Sequence, residues 1–186
     1  MFNDAIKREI QKLFETSESP ELGPGPRPGI KSEGELQNSL DECFGNSEMK
    51  AERHELIRAL VLLWHDHLDA AHKIAQDIGS ASGSFVHGIM HRREPDYGNA
   101  AYWFRRVGQH PAFGEIANRV AKALQTKGDA ELARKMVRGG GWDPFAFINA
   151  CENAAGNSGR DEDKEVLREV QAIESAALFD WLCNGG

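Results

Sequence analysis

Residues 85–107 read FVHGIMHRREPDYGNAAYWFRRV, and the break inside this stretch decides the architecture. Pro95 cannot sit inside a helix, and Asp96 behind it offers a carboxylate to cap the next one, so two helices should meet across a tight corner. Working outward, apolar spacing predicts helices over residues 35–44, 48–65, 68–78, 83–93, 97–108, 112–126, 129–138, 144–154 and 162–183. Gly128 followed by Asp129 pairs a helix stop with a helix start, and Asp143 before Pro144 repeats that logic. No segment alternates apolar and polar residues long enough for a strand, and GGGW at residues 139–142 reads as a helix stop and flexible turn. The fold class is therefore all-α.

The chain has 186 residues, 40% hydrophobic and 27% charged, proportions that suit one compact body over residues 35–186. Its formal charge of -7 argues against nonspecific binding to nucleic acid or an anionic membrane. Cys43, Cys151 and Cys183 are odd in number and widely spaced, which fits a reducing, cytoplasmic setting better than a disulfide framework. No secretory leader or membrane-spanning run is expected. At the amino terminus, Phe2, Ile6, Ile10, Leu13 and Phe14 mark residues 1–18 as an amphipathic docking helix. Residues 19–34, rich in proline and glycine, should run as an extended linker, and a swap of the helix on this leash would make a homodimer.

Three segments align on one another at offsets of roughly 30 residues, which is helical-hairpin spacing. They bring Ala71, Ala100 and Ala133 into register, then Ala75, Phe104 and Val137. The pattern resembles the tetratricopeptide-repeat family over residues 53–138. The middle unit is best, with Gly88, Tyr97, Ala100, Phe104 and Pro111 at the family's small, aromatic, alanine, aromatic and terminating proline places. The first unit is shortened, the third lacks the aromatic turn residue, and His87 and His91 replace the usual leucine and tyrosine. The resemblance implies a short right-handed stack of helical hairpins with N- and C-terminal capping helices. It also implies a concave groove lined by the first helix of each hairpin. The stretch also resembles a group of bacterial proteins to which no activity attaches.

Six of the seven histidines fall between residues 64 and 110. His87 and His91, four apart on one helix, share a face and have the spacing to grip a transition metal. His65, Asp69 and His72 could complete such a site, although a turn near His67 works against that geometry. No HExxH arrangement is present, so the metal reading lacks an adjacent glutamate base. The alternative is that these imidazoles hydrogen-bond carboxylates or carbonyls between helices. No glycine-rich phosphate loop or serine elbow occurs, so a divalent transition metal is the one cofactor the sequence suggests.

Arg92, Arg93, Arg105 and Arg106 make a second cluster. By the tetratricopeptide resemblance, Phe85, Arg92 and Arg93 would share a groove with Asn118 and Lys122, a donor set suited to a carboxylate or phosphate. Trp103 and Arg106 would stack as an aromatic–cation pair or line a pocket for a planar ligand. Against this, the arginines could pair with Glu94, Asp96, Glu115 and the acidic terminal helix, and Trp103 could pack in the core. The leading functional expectation is a noncatalytic scaffold that binds an acidic peptide or small anionic ligand, with a protein or peptide as its partner. The alternative is a metal-dependent enzyme or sensor built on His65, His72, His87 and His91.

Overall fold

The computed structural model describes residues 4–45, 47, 49–156 and 161–184. Among them are ten α-helices and one very small sheet, so the chain is all-α. The helices are α1 (Asp4–Gln11), α2 (Glu33–Phe44), α3 (Ala51–Trp64), α4 (Leu68–Ala75) and α5 (Ala81–Arg93). After the corner come α6 (Tyr97–Val107), α7 (Ala112–Lys127), α8 (Ala130–Met136), α9 (Pro144–Ala155) and α10 (Asp161–Asn184). No described helix is long and apolar enough to cross a membrane.

Local chemistry sets the boundaries. Asp96 Oδ1 accepts from the Asn99 amide, Asp129 Oδ1 from Leu132, and Asp143 Oδ1 from Phe145 and Ala146. These carboxylates satisfy first-turn donors that would otherwise lack partners. Gly128 adopts a left-handed conformation at the end of α7. Helix α2 begins at Glu33, two residues before its expected start, because Ser32 and Glu35 form a reciprocal capping box. The segment expected to be helical to residue 138 departs from helix after Met136. Val137 and Arg138 instead pair antiparallel with Trp142 and Gly141 as strands β1 (Val137–Arg138) and β2 (Gly141–Trp142). Positive φ at both Gly139 and Gly140 supplies the backbone that a two-residue hairpin turn demands.

Helix α5 lies at the centre, and every residue from Ser82 to Arg93 is buried. It packs most extensively against α6, and also against α3 and α4. Helix α10 closes the body by lying along α7, α3 and α9. The core includes Leu60 and Leu62 of α3, Phe85 and Ile89 of α5, Phe104 of α6, Phe147 of α9 and Leu178 of α10.

The amino-terminal segment docks onto its own chain. Ile10 and Leu13 are buried, and Phe14 packs edge-on against Trp64 and tilted against Phe179. The helix stops at Gln11, a 3-10 turn carries the chain through Phe14, and Phe2 lies outside the described residues. Beyond it the proline-rich stretch is fastened by its backbone. Arg168 donates to the Ser19 carbonyl, Gln171 to Pro20 and Glu21, and Arg93 to Gly23. Arg27 is buried against Asp66 at 2.7 Å and donates to the Trp64 carbonyl at 2.7 Å.

Candidate metal centre

Three imidazoles meet where α4, α5 and α6 pack. His72 comes from α4, and His87 and His91 lie one turn apart on α5. One ring nitrogen of each lies within 4.8 Å of those of the other two. The His72 ring centroid is 4.7 Å from that of His87 and 5.4 Å from that of His91. His87 and His91 are stacked at 4.9 Å. Trp103 of α6 covers the other face of His87, nearly parallel at 3.9 Å.

The hydrogen bonding of the cluster is incomplete. His87 is only 3% exposed, yet neither of its ring nitrogens has a hydrogen-bond partner. An unpaired buried polar group carries a desolvation cost of about 1–3 kcal/mol, so an imidazole left in this state is a site in want of a partner. Burial, reinforced by the neighbouring His91 and His72, holds the His87 pKa down to about 4. Its ring is therefore neutral at physiological pH and keeps a lone pair for a metal. Burial also lowers the His91 pKa, partly opposed by Glu94.

His91 is oriented from outside the cluster. Glu94 Oε2 lies 3.1 Å from Nδ1, and a carboxylate can only accept, so Nδ1 carries the proton of the neutral ring. Nε2 is left with the lone pair, and the Asn99 amide nitrogen stands over the ring, 3.1 Å from Nε2 and 3.4 Å from Nδ1. A carboxylate behind a ligand imidazole is the usual arrangement for fixing its tautomer and raising its basicity. Two donors on one tetrahedral metal lie about 3.4 Å apart at zinc–nitrogen distances of 2.0–2.1 Å. The rings would therefore rotate inward from their stacked positions on taking up an ion.

No family model, curated protein or solved structure matches this chain. What it can do is accordingly argued from its own side chains.

His65 stands apart from the cluster. Its Nδ1 accepts from the Lys31 amide at 3.2 Å and its Nε2–H donates to the Leu13 carbonyl at 2.7 Å, so both nitrogens are occupied in holding the amino-terminal segment. The corner at His67 that ends α3 separates it from His72, which lies on the next helix.

The arginine groove is not assembled. Arg92 is 0% exposed and grips Glu174 through both terminal nitrogens, with its guanidinium over the Phe147 ring at 4.2 Å. Arg93 is 1% exposed and is held by Asp66 at 2.6 Å and by the carbonyls of Leu63 and Gly23. Asn118 and Lys122 are exposed on α7, so these four residues do not present one solvent-facing donor set. Phe85 is wholly buried against Phe104, Phe113 and His110. Trp103 does join the cluster, and Arg106 lies over its outer side at 5.2 Å.

A buried Ser82–His110 pair, 3.1 Å apart, resembles a nucleophile with its base but has the wrong tautomer. His110 Nδ1 accepts from the Ala112 amide, so Nε2 bears the proton and donates to the Ser82 hydroxyl. Cys151 is equally unsuited to nucleophilic work, because burial pushes its thiol up to about 12. An open cleft of about 770 Å3 lies between α8, α9 and α10, lined in part by Lys135, Phe145, Asn149 and Asn153, and none of the candidate histidine, arginine or aromatic site residues lines it.

Proposed function

We propose that this chain is a transition-metal-binding protein whose centre is His72, His87 and His91. The observation that carries the reading is His87, buried with both ring nitrogens unpaired between two further imidazoles. Neutral imidazole donors suit zinc, copper, nickel or iron. Zinc fits best because it imposes no geometry beyond what rotating rings can supply. The Glu94–His91 contact supports the reading, as does the Trp103 ring stacked against His87, which screens the site from water. Three unpaired cysteines support a reducing compartment.

The acidic-peptide reading requires guanidinium forks that reach solvent, and those of Arg92 and Arg93 are occupied by buried carboxylates. The hairpin reading of residues 53–138 draws support from the pairing of α3 with α4, α5 with α6 and α7 with α8 and from fully buried Ala71 and Ala100, whereas Ala133 is half-buried and α7 packs chiefly on α10 and α8, not on the α5–α6 hairpin.

The test is elemental analysis of chain purified without a histidine tag and loaded with zinc. One zinc per chain is expected, and His72→Ala, at a half-buried position, should weaken binding at least tenfold while leaving the helical circular dichroism intact. Zinc uptake unaffected by His72→Ala and His87→Ala would refute the assignment.

A further inference from the structure

The proline-rich strap is held the way a bound peptide is held. From residue 15 to residue 31 only Pro20 and Arg27 are buried. The body grips the strap by its main chain. Arg168 reaches the Ser19 carbonyl at 2.5 Å, Gln171 those of Pro20 and Glu21 at 3.3 and 3.0 Å, and Arg93 that of Gly23 at 3.1 Å. Contacts of this kind read an extended backbone and tolerate the side chains it carries. One side chain is read closely. Arg27 enters a pocket where the Asp66 carboxylate accepts from its guanidinium at 2.7 Å and from its backbone amide at 2.9 Å. A Cβ on Gly25 would stand 2.7 Å from that carboxylate, so a glycine two places before the arginine is part of the fit.

The strap leaves its groove incompletely satisfied. Among the described residues, Gln171 Oε1 and Arg168 Nε are buried without a hydrogen-bond partner. Gln171 is 2% exposed, and its oxygen needs an N–H. The strap begins its contact with this carboxamide at Pro20, which has no N–H to give. One acceptor and one donor of the groove are therefore left over for another occupant.

The strap can lift without carrying away the rest of the amino-terminal segment. His65 holds its two ends at once, accepting from the Lys31 amide at 3.2 Å and donating to the Leu13 carbonyl at 2.7 Å. Ile10 and Leu13 stay buried in the core on the near side of this tie. A loop fixed at both ends opens and closes in place, which leaves the vacated groove to a segment of another protein and not to the strap of a second copy.

We propose that the groove between Asp66, Arg93 and the Arg168–Gln171 turn of α10 is a peptide-binding site, which the chain fills with its own strap until a partner protein displaces it. The ligand is an extended, proline-rich segment that carries Gly-Pro-Arg. Proline stiffens such a segment before it binds, so little ordering is lost on docking. Its arginine takes the place of Arg27 against Asp66, and its carbonyls take the bonds from Arg93, Arg168 and Gln171. The site shares no residue with the three-histidine cluster and does not depend on a metal.

The probe is a synthetic peptide of residues 19–29, SPELGPGPRPG, blocked at both ends, labelled with a fluorophore and titrated into the full chain by anisotropy. The chain variant Gly25→Ala with Arg27→Ala removes both the fit and the anchor of its own strap, and it should bind one peptide with its helical circular dichroism intact. The wild type should bind the peptide about tenfold more weakly or worse, because its strap competes at an effective concentration of order millimolar. Peptides with Arg27→Ala or Gly25→Ala should each bind the variant about tenfold more weakly than the native sequence or worse. Arg27→Ala alone carries the same comparisons if the double variant loses its helical signal. No saturable binding up to about 1 mM peptide, equal affinities of variant and wild type, or indifference to the arginine of the peptide would each overturn the site. A wild-type dimer that the peptide dissolves would assign the groove to a second copy and overturn the assignment to a partner protein.

Discussion

Arg92 of α5 and Glu174 of α10, 82 positions apart, form a two-pronged ion pair with 0% exposure on both side chains. It ties the central helix to the closing one, and the Phe147 ring beneath the guanidinium removes the remaining solvent. Removing one charge leaves the other buried and uncompensated, at a cost of about 3–5 kcal/mol. Glu174→Ala should therefore shift the urea midpoint strongly downward. The double replacement Arg92→Met with Glu174→Leu should recover most of that loss, since no charge is then stranded. Equal losses in the single and double variants would show that packing, not charge, dominates here.

Acid should loosen the fold through its buried histidines. Burial holds the pKa values of His87 and His110 down to about 4, against 6.5 for an exposed ring. The unfolded chain therefore takes up protons first as the pH falls, and the stability these neutral rings contribute is complete above about 6.5. It declines progressively from there to about 4, by up to about 1.4 kcal/mol per pH unit for each ring. Thermal unfolding followed from pH 8 to 4 should show a plateau and then a falling midpoint below about 6.5. A midpoint constant down to pH 4.5 would contradict the buried, neutral state of both rings.

Gly88 permits the closest approach of α5 to α6. A Cβ at this position would stand 2.7 Å from the Phe104 ring, in the same turn that carries His87 and His91. Gly88→Ala should cost about 1–3 kcal/mol by overpacking. Because the displaced helix also carries Trp103 against His87, zinc affinity should fall with it. Calorimetric unfolding and zinc titration of the same variant check both parts.

The proline-rich strap should resist proteases as long as Arg27 is in place. Asp66, at a left-handed φ of 63° with its carboxylate buried, accepts from the Arg27 amide, the Arg27 guanidinium and Arg93. Arg27→Ala strips it of one charge partner, and the segment before α2 should become cleavable in limited proteolysis while the body stays intact. Identical digestion of variant and wild type would mean that the backbone bonds to Arg93, Arg168 and Gln171 suffice to hold the strap.

Elements that end on a cap or a glycine pair were legible in the sequence, because the signal is local. Asp96, Gly128 and Asp143 mark helix boundaries by their own hydrogen bonds or conformation, and the histidine spacing on α5 pointed at His87 and His91 for the same reason. What was not legible is burial. Helix α5 is enclosed on every side, so it lacks the one-sided apolar stripe that tells which face meets water. Arg92 and Arg93 looked like groove residues because their partners, Glu174 and Asp66, lie 82 and 27 positions away. The i, i+4, i+7 spacing of His65, Asp69 and His72 suggests a shared face, yet a corner intervenes and the bonds of His65 run to Leu13 and Lys31. Asn99 is not legible as a neighbour of His91 because the Pro95 corner folds it back onto that ring, whereas Glu94, three residues on at the end of α5, is within reach of a helical contact argument.

The most direct measurement is an anomalous difference map from crystals of the full chain grown with zinc and collected at the zinc edge. The account predicts one strong peak within about 2.1 Å of a ring nitrogen of each of His72, His87 and His91. A map with no peak among these three rings, or with His87 still stacked flat between His91 and Trp103 in the presence of saturating zinc, would contradict it.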